Sequence, residues 1–396
     1  MSSNNEFPWD IGVYDAHCHP TDTMASIASI PHMKARALTV MGTRGEDQEL
    51  VQQTAQSLNA QNPLQEDRII PCFGWHPWFS HQILIDNTQG TDSASQDAQP
   101  QPQPQTQTET DIDAKKKHYT AVLAPSVVED EEFLNFLSTP IPISQLIADT
   151  KKRLESHPYA LVGEIGLDKS FRLPGAWTVK ELGSRDEQLT PGSREGRPLS
   201  PYKVKLEHQK ALLKCQLQLA GEMQRAVSVH SVQAHGAVFD VLKELWAGHE
   251  KVTLSRRQRE RRQDAEGALS EDSEHEQEAS LKDLKPLQFP PRICMHSYSG
   301  PVEPIRQYMN KKNPSDVYFS FSAVINFTGA GLRKVCDVIK MLPEDRILIE
   351  SDLHTAGTQM DELLEEAARQ VCEIRGWELR KGVQQLADNW KRFIFG

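Results

Sequence analysis

The chain has 396 residues, with 44 Lys+Arg against 55 Asp+Glu and a formal charge of −11. That balance argues against broad coating of nucleic acid, while leaving room for a local basic patch or for metal charge inside a cleft. The sequence holds no run of about 18 apolar residues, so no membrane contact is expected; MSSNNEFPWD lacks the pattern of a secretory signal, and six cysteines without a CxxC pair suggest buried thiols in a reducing compartment.

In chain order, short β-branched runs alternate with helical patterns. The predicted strands are 11–16, 36–42, 69–74, 160–165, 226–230, 291–296, 317–322 and 346–350. Between them, 46–61 aligns Leu50, Thr54 and Leu58, and 204–224 aligns Leu212, Leu213, Leu217, Ala220 and Met223 at helical spacing. Segments 232–247, 330–341 and 359–376 are read the same way, and Val383, Leu386, Trp390 and Ile394 predict a last amphipathic helix. Strands alternating with helices imply parallel pairing and right-handed crossovers. An eight-fold count favours a closed α/β structure, a (β/α)8 TIM barrel, over an open doubly wound sheet.

Three polar segments interrupt this order: 87–117 with its Gln-Pro alternation, 172–200, and 249–287 with a basic burst at Arg256–Arg262. They offer little apolar surface to offset ordering entropy, so disordered insertions in one large domain are expected. The insertions are candidates for contact with a protein partner. The basic burst suits either a nuclear-import patch or a solvated loop, which gives an expectation of cytoplasm with access to the nucleus.

The chemistry collects where strands end, the functional face of such a barrel. The first strand ends in Asp15-Ala16-His17-Cys18-His19, and residues two apart on an extended segment point the same way, so His17 and His19 can grip one ion. The fourth ends in Gly163-Glu164-Ile165-Gly166-Leu167-Asp168. The fifth, sixth and eighth reach His230, His296 and Asp352. Four imidazoles and two carboxylates exceed the needs of one zinc, so two divalent ions per chain (Mg²⁺, Mn²⁺ or Zn²⁺) are expected.

These motifs also carry a resemblance. DAHCH, GWHP, GEIGLD, VHS, MHSYSG and ESD occur in the order found in the TatD-like metal-dependent hydrolases of the amidohydrolase superfamily. The resemblance runs from about residue 11 to 395, skipping the insertions, which look like those of fungal members. It implies a distorted TIM barrel in which His17 and His19 hold one metal, Glu164 bridges, His230 and His296 hold the second, and Asp352 contacts the first metal and the attacking water. Glu164 and Asp352 are then the catalytic carboxylates, with Asp352 accepting the water proton. His76, in Gly74-Trp75-His76-Pro77-Trp78, is implied as a substrate-phosphate contact, and Trp75 and Trp78 are candidates for base stacking.

Relatives of this kind act as deoxyribonucleases, so DNA ends or another phosphodiester are the implied substrate. Two features depart from the family pattern. Many members carry an Arg just after the fifth-strand His, where this chain has Ser231-Val232-Gln233, and many place Pro two residues after the last Asp, where it has His354. His354, Lys169 and Arg172 are candidates for compensating substrate contacts. A small-molecule amidohydrolase with the same metals, and an interaction protein that keeps the barrel with weak catalysis, remain open alternatives.

Overall fold

Eight strands form the core of the molecule in a single parallel sheet whose spatial order is the chain order. They are β1 (Tyr14–Cys18), β2 (Ala37–Met41), β3 (Ile69–Phe73), β4 (Leu161–Asp168), β5 (Val227–Val232), β6 (Arg292–Met295), β7 (Asp316–Ser322) and β8 (Ile347–Glu350). The computed structural model describes residues 6–61, 67–86, 107–178, 182–183, 185–251 and 287–396. The sheet curls until β8 meets β1. There Asp352 N donates to His17 O at 3.0 Å and His19 N to Leu353 O at 2.7 Å, while the Asp15 carboxylate takes Ser351 N at 3.0 Å and Ser351 Oγ at 2.5 Å. The result is a nearly closed TIM barrel.

The helices around it are α1 (Gly45–Ala60), α2 (Gln107–Val122), α3 (Ile143–Ser156), α4 (Leu206–Glu222), α5 (His235–Trp246), α6 (Leu332–Met341), α7 (Thr358–Arg375) and α8 (Leu379–Phe395). Five of these and the final helix-forming pattern match sequence expectation within a few residues; α2 and α3 were not anticipated. No helix among the described residues is long and apolar enough to cross a membrane.

Strand alternation divides the core in two. Leu38, Val40, Val227, Val229, Ile293, Met295, Ile347 and Ile349 pack outward against the helices. Ala37, Met41, Ile70, Cys72, Cys294, Tyr318 and Leu348 form a second cluster with Trp390, Phe393 and Ile394 of α8, and Tyr14 stacks on Trp390 with ring centroids 4.3 Å apart. Two residues beyond Ser228, Cys294 and Leu348 on the same strand faces stand His230, His296 and Glu350. The period of two that fills one end of the barrel with apolar groups therefore delivers the polar groups to the other.

One difference from the sequence reading concerns where the first strand begins. The first strand was expected at 11–16, but Trp9–Ile11 forms a 3-10 turn, Gly12 takes φ +98°, and β1 starts at Tyr14. Its register with β2 then shifts between Asp15 and Cys18, an irregularity of the kind that re-aims a side chain.

The insertions also differ. Residues 87–106 and 252–286, with Arg256–Arg262, lie outside the described residues. Residues 107–117, however, belong to α2, whose far end buries Tyr119 and Val122 in a satellite cluster with Phe133, Leu134 and Tyr202. Much of 172–200 also has defined contacts: Leu173, Thr190 and Arg197 are buried, and Leu173 N bonds Tyr202 O at 2.9 Å. Among the described residues of this segment, polar and backbone contacts more than apolar area hold the chain in place.

Candidate metal centre

Glu164 is at the middle of the barrel mouth, and its two oxygens face two different groups. Oε2 is 3.5 Å from His17 Nε2 and 3.4 Å from His19 Nε2. Oε1 is 2.9 Å from His230 Nδ1, 2.9 Å from His296 Nε2 and 3.1 Å from His76 Nε2. Asp352 Oδ1 completes the first group, 3.8 Å from His17 Nε2 and 3.6 Å from His19 Nε2. The crowding around Glu164 depends on glycine: a Cβ at Gly166 would stand 2.0 Å from His230 O, so any side chain there would push β5 away.

The imidazoles point nitrogen at nitrogen. His17 Nε2 and His19 Nε2 are 3.0 Å apart, and His230 Nδ1 and His296 Nε2 are 3.2 Å apart. Ser228 Oγ holds the other nitrogen of His17 at 2.8 Å, which fixes the ring with Nε2 turned into the cluster. Such convergence of buried nitrogens and carboxylate oxygens is what ligand bonds of about 2.0–2.2 Å to a shared cation require. The sets His17–His19–Glu164, His17–His296–Asp352 and His76–Glu164–His230 each bring their ligand atoms within 4.8 Å of one another. His296 turns Nε2 to Glu164 and His230, while its Nδ1 is buried with no hydrogen-bond partner. These buried clusters are compatible with divalent metal binding.

Electrostatics point the same way. Burial pushes the Glu164 carboxyl up, but His76, His296 and His17 outweigh it and hold the group well below the usual carboxylate range. For Asp352 burial again opposes, and His19, His296 and His17 bring the carboxyl down to about 2. Burial lowers His17, and it lowers His76 to about 4. His19 resists burial through Asp352 and Glu164 and rises to about 9.

Groups around the cluster brace it. Asp168 Oδ2 sits 3.2 Å from His230 Nε2 and accepts Trp78 Nε1 at 2.7 Å. The buried Glu350 carboxylate accepts Ser297 N at 2.8 Å and bonds from the Ser297 and Ser320 hydroxyls, and it lies 3.6 Å from His296 Nδ1. Asp15 accepts His17 N at 3.0 Å. Asp168, Glu350 and Asp15 all fall inside motifs quoted from the sequence, yet no role had been assigned to them. Their signal was a carboxylate two positions (Asp15, Glu350) or four (Asp168) from a candidate ligand, and Asp168 meets the need of an imidazole for an acceptor at its other nitrogen.

The structure brings His17, His19, Glu164, His230, His296 and Asp352 together, and His76 with them. Asp352 has φ +56°. His76, expected at the substrate phosphate, is buried in the cluster with Nδ1 accepting Trp78 N at 3.2 Å. His354 lies at the rim, 2.7 Å from Asp22 Oδ2.

Arg172 and Lys169 do not join the site. Both are exposed, and the cavity over the cluster, about 500 Å³, is lined by Arg44 and Arg194 in their place. Trp75 is no stacking platform either, since it is buried with Nε1 donating to Phe79 O at 2.9 Å. Trp78 does reach the cavity, stacked on Phe171 with centroids 4.5 Å apart.

Comparison with known proteins bears on the family and the fold. The family model described as TatD related DNase matches residues 14–395. The chain is 35% identical over 382 residues to the Cut9-interacting protein scn1 of Schizosaccharomyces pombe, covering 96% of this chain and 98% of that one. It is 23% identical over 334 residues to an uncharacterized deoxyribonuclease of Saccharomyces cerevisiae, covering 81% of this chain and 80% of the relative. Among solved structures, an uncharacterized amidohydrolase from Saccharomyces cerevisiae superposes with TM-score 0.51 at 11% identity, covering 96% and 99% of the two chains. A TatD family hydrolase from Entamoeba histolytica gives 0.50 at 11%, covering 97% and 98%.

Proposed function

The chain belongs to the TatD related DNase family, and from that premise we propose that it is a metal-dependent deoxyribonuclease that cleaves phosphodiester bonds, with DNA ends as the substrate class. The observation that carries this reading is the central Glu164, with one oxygen toward His17 and His19 and the other toward His76, His230 and His296.

In this reading His17, His19, Asp352 and Glu164 hold one divalent ion, and Glu164, His230 and His296 a second. Bound ions supply Lewis acidity that brings the ionisation of water to near neutral pH and screens charge developing on phosphate oxygens. The chain's residues do the rest. The Asp352 side chain is 18% exposed, against 0–9% for the other five candidate ligands, so it is the most open of them to water in the cavity. It remains ionised and takes the water proton at a carboxylate oxygen. Asp168 fixes the ring of His230, and the Glu350 carboxylate lies beside that of His296, so the nitrogens they face need little reorganisation during the reaction. His76 and His354 flank the position of the phosphate, and Trp78 with Phe171 offers an aromatic wall beside it.

The test is a panel of single-stranded DNA, bis(p-nitrophenyl) phosphate, a lactone and an amide with Mg²⁺, Mn²⁺ and Zn²⁺, alongside elemental analysis. About two ions per chain at saturation and preference for the phosphodiesters are expected. No bound ion after incubation with Mn²⁺ and Zn²⁺ would overturn the reading, and preference for the lactone or amide would replace it with a small-molecule amidohydrolase. A second reading has its own support: the relative at 35% identity is named for an interaction with a protein. Loaded metal with no turnover of any substrate would favour an interaction barrel.

A further inference from the structure

One wall of the cavity comes from the segment between β4 and α4, through Ser193 and Arg194. Arg44 ties that segment to the barrel. A guanidinium has five N–H donors, and Arg44 uses all five. Nε bonds Pro191 O at 2.9 Å, Nη1 bonds Thr43 Oγ1 at 2.9 Å and Asp47 Oδ2 at 3.1 Å, and Nη2 bonds Asp22 Oδ1 at 2.8 Å and Thr190 O at 3.3 Å. Although Arg44 lines the cavity, its charge is matched by two carboxylates and no donor is left for a substrate.

Arg194 differs. Its Nε donates to Arg197 O at 2.9 Å, and Arg197 Nε returns a bond to Arg194 O at 3.1 Å. Arg197 is itself fixed, its guanidinium 4.9 Å from the Trp177 ring centre and 5.4 Å from that of Phe136. Glu195 accepts Gly192 N at 3.0 Å and pairs with Arg185, closing the loop on itself. Gly192, at φ +97°, packs where a Cβ would meet Arg44 Nε at 2.9 Å. The wall is thus braced from both ends. Among the described residues the two terminal nitrogens of Arg194 make no hydrogen bond or ion pair.

We propose that Arg194 is a specificity-determining residue that binds an anionic phosphate of the substrate at the cavity wall. Its planar fork, held through Nε, matches two phosphate oxygens, and pre-organisation limits the side-chain entropy lost on binding. This rests on the phosphodiester reading of the cavity, and it does not require cleavage to be observed.

The experiment measures binding of a fluorescein-labelled phosphorothioate oligothymidine by anisotropy, on Mn²⁺-loaded full-length protein, across a salt series. Arg194→Ala should weaken binding about ten- to hundredfold and lower the salt dependence by about one contact. Arg194→Lys should recover part of the affinity through its charge. Metal content and melting temperature should not change, and Arg172→Ala, exposed outside the cavity, should bind within about threefold of wild type. Binding by wild type that depends on Arg194 supports the inference even if no DNA is cut. Absence of binding by wild type, Arg194→Ala within about twofold of it, or equal losses in Arg172→Ala and Arg194→Ala would each overturn the inference. Cleavage of DNA with any of these results would leave the nuclease reading standing alone.

Discussion

Replacing Arg44 by Met tests whether the cavity wall is held as described. The side chain is 2% exposed and bridges Asp47, which is equally buried, and Asp22, at 16%. Breaking a buried ion pair by removing one partner costs about 3–5 kcal/mol, since the other charge is left uncompensated. Two carboxylates lose a partner here, but the losses do not simply add. Asp47 keeps bonds from Thr43 N at 2.9 Å, Thr43 Oγ1 at 2.5 Å and Arg44 N at 3.1 Å, and Asp22 keeps His354 at 2.7 Å. A total of about 3–4 kcal/mol follows, or a fall in melting temperature of about 4–5 °C for a chain of 396 residues, whose unfolding entropy scales with its length. The local effect should be larger than the global one, because bonds to Thr190 O and Pro191 O vanish and 185–197 is left on the bonds of Thr190 N to Asp22 O at 2.9 Å and Thr190 Oγ1 to Thr21 O at 2.5 Å. Thermal melts with and without Mn²⁺, and limited proteolysis followed by mass spectrometry, read both. Arg44→Lys should rescue little, having three donors and no fork. A melt within 2 °C of wild type and no faster cutting in 185–197 would refute the anchoring role.

Asp352→Asn keeps a residue type that tolerates φ +56°, so the variant should fold and retain most of its metal while turning over the best substrate about 10²–10⁴ times more slowly; near-wild-type turnover by the loaded variant would exclude Asp352 as the base. His17→Ala removes a ligand shared by two of the three sets, so elemental analysis should show metal falling together with rate. His81 is buried with Nδ1 unpartnered, and burial lowers its pKa to about 3. The unfolded chain, with a histidine pKa near 6.5, therefore binds more protons below that value, and stability falls as pH drops from about 6.5 toward 3 by about 1.4 kcal/mol per unit. Denaturant titrations of metal-free protein at pH 6.5 and 5 should show that slope flattened in His81→Phe; identical pH dependence in the two proteins would rule the residue out.

Much of this architecture was legible because two periodicities act without competition. The strands that carry His230, His296 and Asp352 are bounded by polar residues and filled with Val, Ile and Leu, so their ends could be placed within a few residues. The ligands then followed from where strands end. The first strand was misplaced because Gly12 permits a turn inside what looks like one β-branched run. Helix α2 was missed because its N-terminal half is polar and its buried residues, Tyr119 and Val122, stand only at its end. Segment 172–200 was read as unfoldable for a better reason: it contributes little apolar area, and what fixes it is Arg44, Thr190, Arg197 and Glu195. No hydrophobic pattern reports a guanidinium whose partners lie more than a hundred residues away.

That difference in legibility reflects a division of labour. The candidate ligands stand on or just beyond the inward faces of strands, so the packing that closes the barrel also aims them. The strands that carry them pack so closely that a Cβ at Gly166 would stand 2.0 Å from His230 O. Arg194 and its neighbours are held instead by side-chain bonds to one loop and one buried arginine, which can change without disturbing the core. A barrel of this kind hosts many chemistries through variation in its loops. On the proposed function, the cluster would set what kind of bond the site attacks, and the polar wall which molecule reaches it. Family membership informs the first of these more strongly than the second, and measurements on Arg194 and Arg44 bear directly on the second.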